Sequence, residues 1–354
     1  MRSHFKPIPI LALASGIVCI QLLADCAFSQ TPYYQGKTIK ILRGGRPGGT
    51  GDTQARALIP YLKKYIPGDP TIVVENMPGA AGRKAANHIF FNTQPDGLTI
   101  GAVGAGLVVG PILGLAGTKY DLDKLIYLGS TERGDPYLFV TRKEAGFDSF
   151  EKLLAAPGVR IGAQGIGHPI YVAGRIFSYL LGLTEPKFVV GYGGLELDAA
   201  FTKGEVDARV KGVDTVLGRN RQMLEKGMLD VHAAITIPRG KIHPRFADVK
   251  DLDSFAKSER ERRLLNLFRT FLYPRWPYIM SPGTPPEHVK TLRVAMARAF
   301  EDIAFKKDFK KMMTNDPSPL TGEEVETTIR DLPRDPETVG LYRKMAEQGA
   351  LPPR

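Results

Sequence analysis

Short β-rich runs alternate with helix-like runs along this chain, and glycine-rich turns join them; no other feature constrains the fold so strongly. Residues 38–42, 71–74 and 98–103 have the β-branched, apolar character of strands. Helical patterns follow the first two at 54–62 and 84–91, and the Pro95-Asp96-Gly97 turn introduces the third. Strands that run parallel need crossovers, and helices supply them on the faces of the sheet. The first glycine turn runs from Gly44 through Arg46, Gly48 and Gly49 to Asp52, and the second from Pro78 through Gly79 to Gly82. Both lie where a strand gives way to a helix. Ligands of parallel sheets bind beyond the carboxyl ends of the strands. A helix start there offers unpaired N–H groups and partial positive charge, and glycine lets a ligand approach the backbone. One such turn alone reads most simply as a tight turn. Several, all at strand ends, point to an anion site.

The βα logic repeats further on. Strand-like runs occur at 137–141, 159–163, 188–190 and 206–210, with helical patterns at 147–156, 170–181 and 195–202. Pro169 suits a first helical turn, where its missing N–H costs nothing. A run at 231–237 leads back, and the tail is helical at 286–303, 306–314 and 322–332. The expected architecture is α/β: two βα lobes joined by two hinge strands, near 130–140 and 231–240, with a ligand cleft between them. Lobe 1 is assigned to 30–132 and 241–354, and lobe 2 to 133–240.

The N-terminus reads as an address. Arg2, His4 and Lys6 precede an apolar stretch from Ile8 to about Leu23, and Ala27-Phe28-Ser29 offers small residues for signal cleavage near Ser29. Residues 1–29 are therefore read as a signal peptide. Leu23-Ala24-Asp25-Cys26 approximates a lipobox, but Asp25 stands where a small residue is expected, so anchoring at Cys26 is the lesser alternative. Cys19 and Cys26 are the only cysteines, so the mature chain has none. That rules out disulfides, thiolate catalysis and cysteine zinc sites, and suits a bacterial periplasm.

Loss of Arg2, Lys6 and Asp25 with the signal lowers the formal charge from +11 to +10. The basic residues are dispersed, and 258–263 mixes both signs. A solvated surface explains them first, and anion steering to a cleft second. The first glycine turn lacks the Gly-Lys-Ser/Thr ending of a nucleotide loop, so a carboxylate fits better than a nucleotide. Thr50 adds a hydroxyl. Arg46 has two equal readings, a bidentate carboxylate partner or a surface charge. Asp52 reads as a helix cap before a ligand contact. The histidines are scattered, no Gly-x-Ser-x-Gly elbow occurs, and no paired-carboxylate site stands out. Trp276 and Tyr278 read as core or hinge-side wall rather than a stacking platform.

These residues also carry a resemblance. Gly48-Gly49, Asp52 and Arg56, then Val74 to Gly82, then Pro95 to Thr99, resemble the solute receptors of tripartite tricarboxylate transporters, the Bug family. The similarity continues through Gly165-Ile166-Gly167, Tyr192-Gly193-Gly194, Gly204 to Asp207 and Ser281 to Pro285, in the family's order and over essentially the whole mature chain. It implies a periplasmic binding protein fold of type II that closes on a small carboxylate. In the family, the turn after the first strand and a turn in the second lobe hold carboxylate oxygens, partly through ordered water. Carried over, these are Gly48, Gly49 and Thr50, then Gly165, Ile166, Gly167 and His168. Gly79, Ala80, Ala105, Gly106, Tyr192, Gly193 and Asp214 complete the wall. Many members carry serines where Gly167-His168-Pro169 stands, which favours backbone or imidazole donors here. Arg46 stands where a small or apolar residue is common, and Tyr192 lacks the usual intervening residue before Gly193.

The sequence is thus read as a non-enzymatic, monomeric periplasmic receptor that delivers a small carboxylate to membrane permease subunits. No cofactor, metal, catalytic residue or nucleic acid is expected. The rivals are a ligand sensor for a signalling partner, a periplasmic enzyme acting on an acidic substrate, and a polyanion-binding module.

Overall fold

The computed structural model describes residues 31–354 apart from Arg46, Gly49, Ala105, Gly193, Thr314 and Asn315; of Ala81 and Gly194 it describes the backbone alone. The expected signal segment, 1–29, lies outside the described residues. Among the described residues, no helix is long and apolar enough to cross a membrane.

Two sheets form. Strands β1 (Thr38–Arg43), β2 (Thr71–Asn76) and β3 (Thr99–Ala102) run parallel, with β1 in the middle. The chain then adds β4 (Ile126–Ser130) and crosses to the second sheet. That sheet takes β5 (Tyr137–Arg142), β6 (Arg160–Gly162), β7 (Lys187–Val189), β8 (Ala208–Gly212) and β9 (Leu229–Ile235), in the order β7-β6-β8-β5-β9. The chain returns as β10 (Pro277–Met280) and β11 (Leu320–Thr321), giving the first sheet the order β11-β4-β10-β3-β1-β2. β10 runs antiparallel to both β3 and β4. Pro277 is tolerated because it opens the strand, and its carbonyl still accepts from Val103 N–H at 3.1 Å. The architecture is α/β and two-lobed, as the alternation implied.

Amphipathic spacing explains how the first sheet is covered. The helix Thr50–Tyr65 buries Ala55, Leu58 and Leu62 three or four residues apart, on one face. It lies against Leu292, Ala295, Met296 and Ala299 of the helix Pro286–Glu301. Full burial of Leu58 and of Leu62 contributes about 1.5–3 kcal/mol each.

The helix Pro169–Leu181 in the second sheet is buried almost all round. Two later helices cover it, Glu259–Leu272 and Pro336–Ala346. Arg175, 1% exposed, runs out of it to the carbonyls of Lys344 (3.1 Å), Gly349 (2.7 Å) and Ala350 (3.2 Å). A cation there satisfies carbonyls at and beyond a helix C-terminus. The mixed charges at 258–263 belong to the start of Glu259–Leu272, where Ser258 and Glu261 form a capping box. Glu261 also accepts from Arg354 at 2.8 and 3.0 Å, which fixes the C-terminal segment.

Candidate ligand-binding cleft

The carboxyl ends of β1 and β3 meet the turn after β6 across a cleft of about 840 Å³. Gly44, Gly45, Gly104 and Gly106 line it from the first sheet, and Gly167, His168 and Pro169 from the second. Glycine is needed here for close approach: a Cβ on Gly44 would lie 3.0 Å from the Gly82 Cα, so the two glycine turns touch backbone to backbone.

Arg43, the last residue of β1, forms the floor. It is only 5% exposed, and its Nη1 donates to the Ala102 carbonyl at 2.7 Å. The guanidinium lies 4.9 Å from the Trp276 ring centroid, a cation–π distance. Both groups press on Gly51 at the start of the helix Thr50–Tyr65: a Cβ there would fall 1.8 Å from Arg43 Nη2 and 2.6 Å from Trp276 Cζ3. The cation therefore sits against the positive end of a helix dipole. Arg43 Nε and Trp276 Nε1 are buried without a hydrogen-bond partner among the described residues. Burial lowers the Arg43 pKa, partly offset by Tyr278 and Asp52, but arginine stays charged at any physiological pH. Asp52 is committed elsewhere. Its Oδ2 accepts from Gly48 N–H (3.0 Å) and Arg56 Nε (2.9 Å), and its Oδ1 from Asn76 (3.1 Å). It braces the turn from inside the first helical turn.

Other donors converge on the same space. Arg83 opens the helix Arg83–Asn92 and lines the cleft, with its Nε buried and unpartnered. His168 caps the helix Pro169–Leu181, its Nδ1 accepting from Ile170 N–H at 3.2 Å. That bond leaves Nε2 to carry the proton. Desolvation in the cleft lowers the His168 pKa, although the ring keeps an exposed edge, so the imidazole is neutral at neutral pH.

A second cavity of about 500 Å³ lies beside the chain crossings, lined by Glu132, Asp135, Asp214, His243 and Arg275. Asp135 accepts from Asp214 N–H at 3.1 Å. Burial, with the Asp214 charge adding to it, pushes the Asp135 pKa up to about 8. Glu132 accepts from Gln54 at 2.6 Å and lies 3.7 Å from Arg275.

No family model matches the sequence, and no curated protein is significantly similar to it. Solved structures match it throughout. A TctC solute-binding protein from Polaromonas aligns with a TM-score of 0.65 at 20% identity, covering 88% of this chain and 98% of its own. The periplasmic binding protein BugD aligns at 0.58 and 19%, covering 88% and 98%. MatC from Rhodopseudomonas palustris, solved with bound malate, aligns at 0.57 and 18%, covering 88% and 99%. The chain shares the fold of periplasmic solute-binding proteins.

Of the residues singled out in the sequence, Gly106, Gly167 and His168 line the large cleft. Gly165 belongs to the same turn, its carbonyl accepting from His168 N–H at 3.0 Å, and Ile166 is exposed beside it. Gly48 and Thr50 are exposed in the first glycine turn and do not line this cleft, and Gly79 and Ala80 are exposed at the start of the second turn. The Tyr192 hydroxyl reaches Glu205 at 3.5 Å. Asp214 lines the second cavity. Arg46, Gly49, Ala105 and Gly193 lie outside the described residues. Arg43 and Arg83 escaped the sequence reading, whereas Trp276, read as core or hinge-side wall, lines the cleft. One signal for Arg43 was there: a charged residue that follows two apolar ones at the end of a strand and leads into the glycine turn.

Proposed function

We propose that this protein is the exported receptor of a tripartite tricarboxylate-type uptake system. It captures a carboxylate between two lobes, 30–132 with 241–354 and 133–240, and hands it to the membrane permease as a monomer without chemical turnover. The signal peptide ends near Ser29 and the mature chain works in the periplasm. The observation that carries this reading is Arg43. Among the described residues no carboxylate is in ion-pair contact with the buried Arg43 guanidinium, which is costly, and this residue lines the cleft. A carboxylate ligand supplies the missing charge, assisted by the helix start behind Arg43 and by Arg83 and His168. The solved structures support the reading: one is a TctC solute-binding protein, and another, MatC, was solved with malate. The turn residues Gly48, Gly49, Thr50, Ala105, Gly106 and Gly165 to His168 are proposed to supply further donors.

Trp276 is the only tryptophan in the chain, so its emission reports on this cleft. The test is a fluorescence titration of the mature protein with carboxylates, repeated on Arg43→Met. We expect saturable binding in the wild type and at least a tenfold loss in the variant. Retention of wild-type affinity in Arg43→Met overturns the assignment of the site.

A further inference from the structure

The cleft is chemically two-ended. Arg43, Arg83 and the glycine turns make one end cationic and rich in N–H donors. The remainder is walled by Val109, Leu113 and Leu115 on one side and Phe271, Leu272 and Tyr342 on the other. Among the described residues lining the cleft, this apolar end has one arginine. Arg343 lines it, but its Nε and Nη2 both donate to the Leu113 carbonyl, at 3.1 and 2.8 Å. Glu347 stands at the same rim and opposes a second carboxylate there. At about 840 Å³ the space is at the upper end of the range, roughly 300–1,000 Å³, that encloses drug-sized ligands. A compact polycarboxylate would leave most of it filled with water against apolar walls.

We infer that the ligand is a monocarboxylate with a bulky apolar body, the carboxylate on Arg43 and the body between Leu115 and Phe271. This rests on the receptor reading above and narrows it from carboxylates in general to amphipathic acids. The walls come from three segments that meet only in the folded chain: the helix Gly106–Ile112 with the turn after it, and the helices Glu259–Leu272 and Pro336–Ala346. Two of them lie outside the glycine turns altogether, so specificity is set by elements other than those that hold the carboxylate. Aromatic and medium-chain aliphatic acids share this chemistry, and the experiment separates them.

The test is calorimetry and Trp276 fluorescence on the mature protein with 3-phenylpropionate, octanoate, succinate and citrate, and with 3-phenylpropanol as the uncharged analogue. We expect one or both amphipathic acids to bind at least tenfold more tightly than succinate or citrate, and the alcohol to bind poorly. The ratio of phenylpropionate to octanoate tells an aromatic from an aliphatic body. Leu115→Glu puts a charge into the apolar end at a position already 36% exposed, so it should leave melting unchanged and weaken amphipathic acids at least tenfold. Tighter binding of succinate or citrate overturns the inference and leaves the receptor reading standing. Equal binding of the alcohol overturns the carboxylate reading itself. Silence toward all five at millimolar concentration overturns both.

Discussion

Gly51→Ala separates stability from binding at the floor of the cleft. Position 51 is helical and its φ is not positive, so alanine suits the backbone and adds up to about 1 kcal/mol of helix propensity. The added Cβ, however, would lie 1.8 Å from Arg43 Nη2 and 2.6 Å from Trp276 Cζ3. Normal contact begins near 3.4 Å, so the guanidinium must retreat by about 1.6 Å and the indole by about 0.8 Å. The Arg43 side chain is 5% exposed and cannot retreat without straining its 2.7 Å bond to Ala102. A charged hydrogen bond is worth about 1.5–3 kcal/mol. If the ligand carboxylate loses one of that kind, affinity falls about 10- to 150-fold, while the overpacking costs about 1–3 kcal/mol of stability, offset in part by the gain in helix propensity. The assays are a melting curve, the emission spectrum of Trp276 and a fluorescence titration. We expect a shifted emission maximum, a modestly lowered melting temperature and the stated loss of affinity. In an Arg43→Met background the same substitution should cost little further binding, because the group it displaces is gone. Wild-type emission and affinity in Gly51→Ala, or full additivity with Arg43→Met, would refute the placement of Arg43 and Trp276.

Three further outcomes follow from the charge environments. Asp135 holds its proton up to about pH 8 in the folded state, whereas the unfolded carboxyl releases it near pH 4. Its contribution to stability is therefore complete at acidic pH and lost as pH rises through about 8; Asp135→Asn should flatten the fall in melting temperature between pH 5 and 9, and parallel curves for the two proteins would contradict this. In the second sheet, burial works against ionisation of Asp198, but Lys211 and Arg209 outweigh it and hold its pKa low. Asp198 contacts Arg209 at 2.6 Å and the fully buried Lys211 at 3.1 Å, so Asp198→Asn leaves two buried cations poorly compensated and should cost about 3–5 kcal/mol, measured by urea unfolding. His168→Ala should cost about 1 kcal/mol through loss of its cap on Ile170, and His168→Asn should restore the stability, since asparagine caps well; equal melting of all three proteins would show that the cap contributes nothing.

The sequence and the structure agree where local chemistry decides the outcome, and part where only tertiary packing does. The strands at Thr38–Arg43, Thr71–Asn76 and Tyr137–Arg142 were legible because apolar periodicity and flanking turn residues act within a few positions. β4 was not, because Gly129 interrupts it at a φ of 146° and its partners β10 and β11 arrive about 150 residues or more later in the chain. The helix Glu259–Leu272 was hidden behind its charged first turn, although Ser258 and Glu261 have the spacing of a capping box. The cleft divides in the same way. Its glycine turns announce themselves because positive φ and close backbone approach restrict the residue type. Arg43, Arg83 and Trp276 do not, because arginine and tryptophan occur on many surfaces and acquire a role only from what surrounds them. Arg43 becomes a ligand-seeking cation only once Gly45, Gly51 and Trp276 enclose it and, among the described residues, no carboxylate makes an ion pair with it. In this fold the residues that permit a ligand are written locally. The residues that choose it, Arg43 at one end and Leu115, Phe271 and Tyr342 at the other, are set by contacts far apart in the chain.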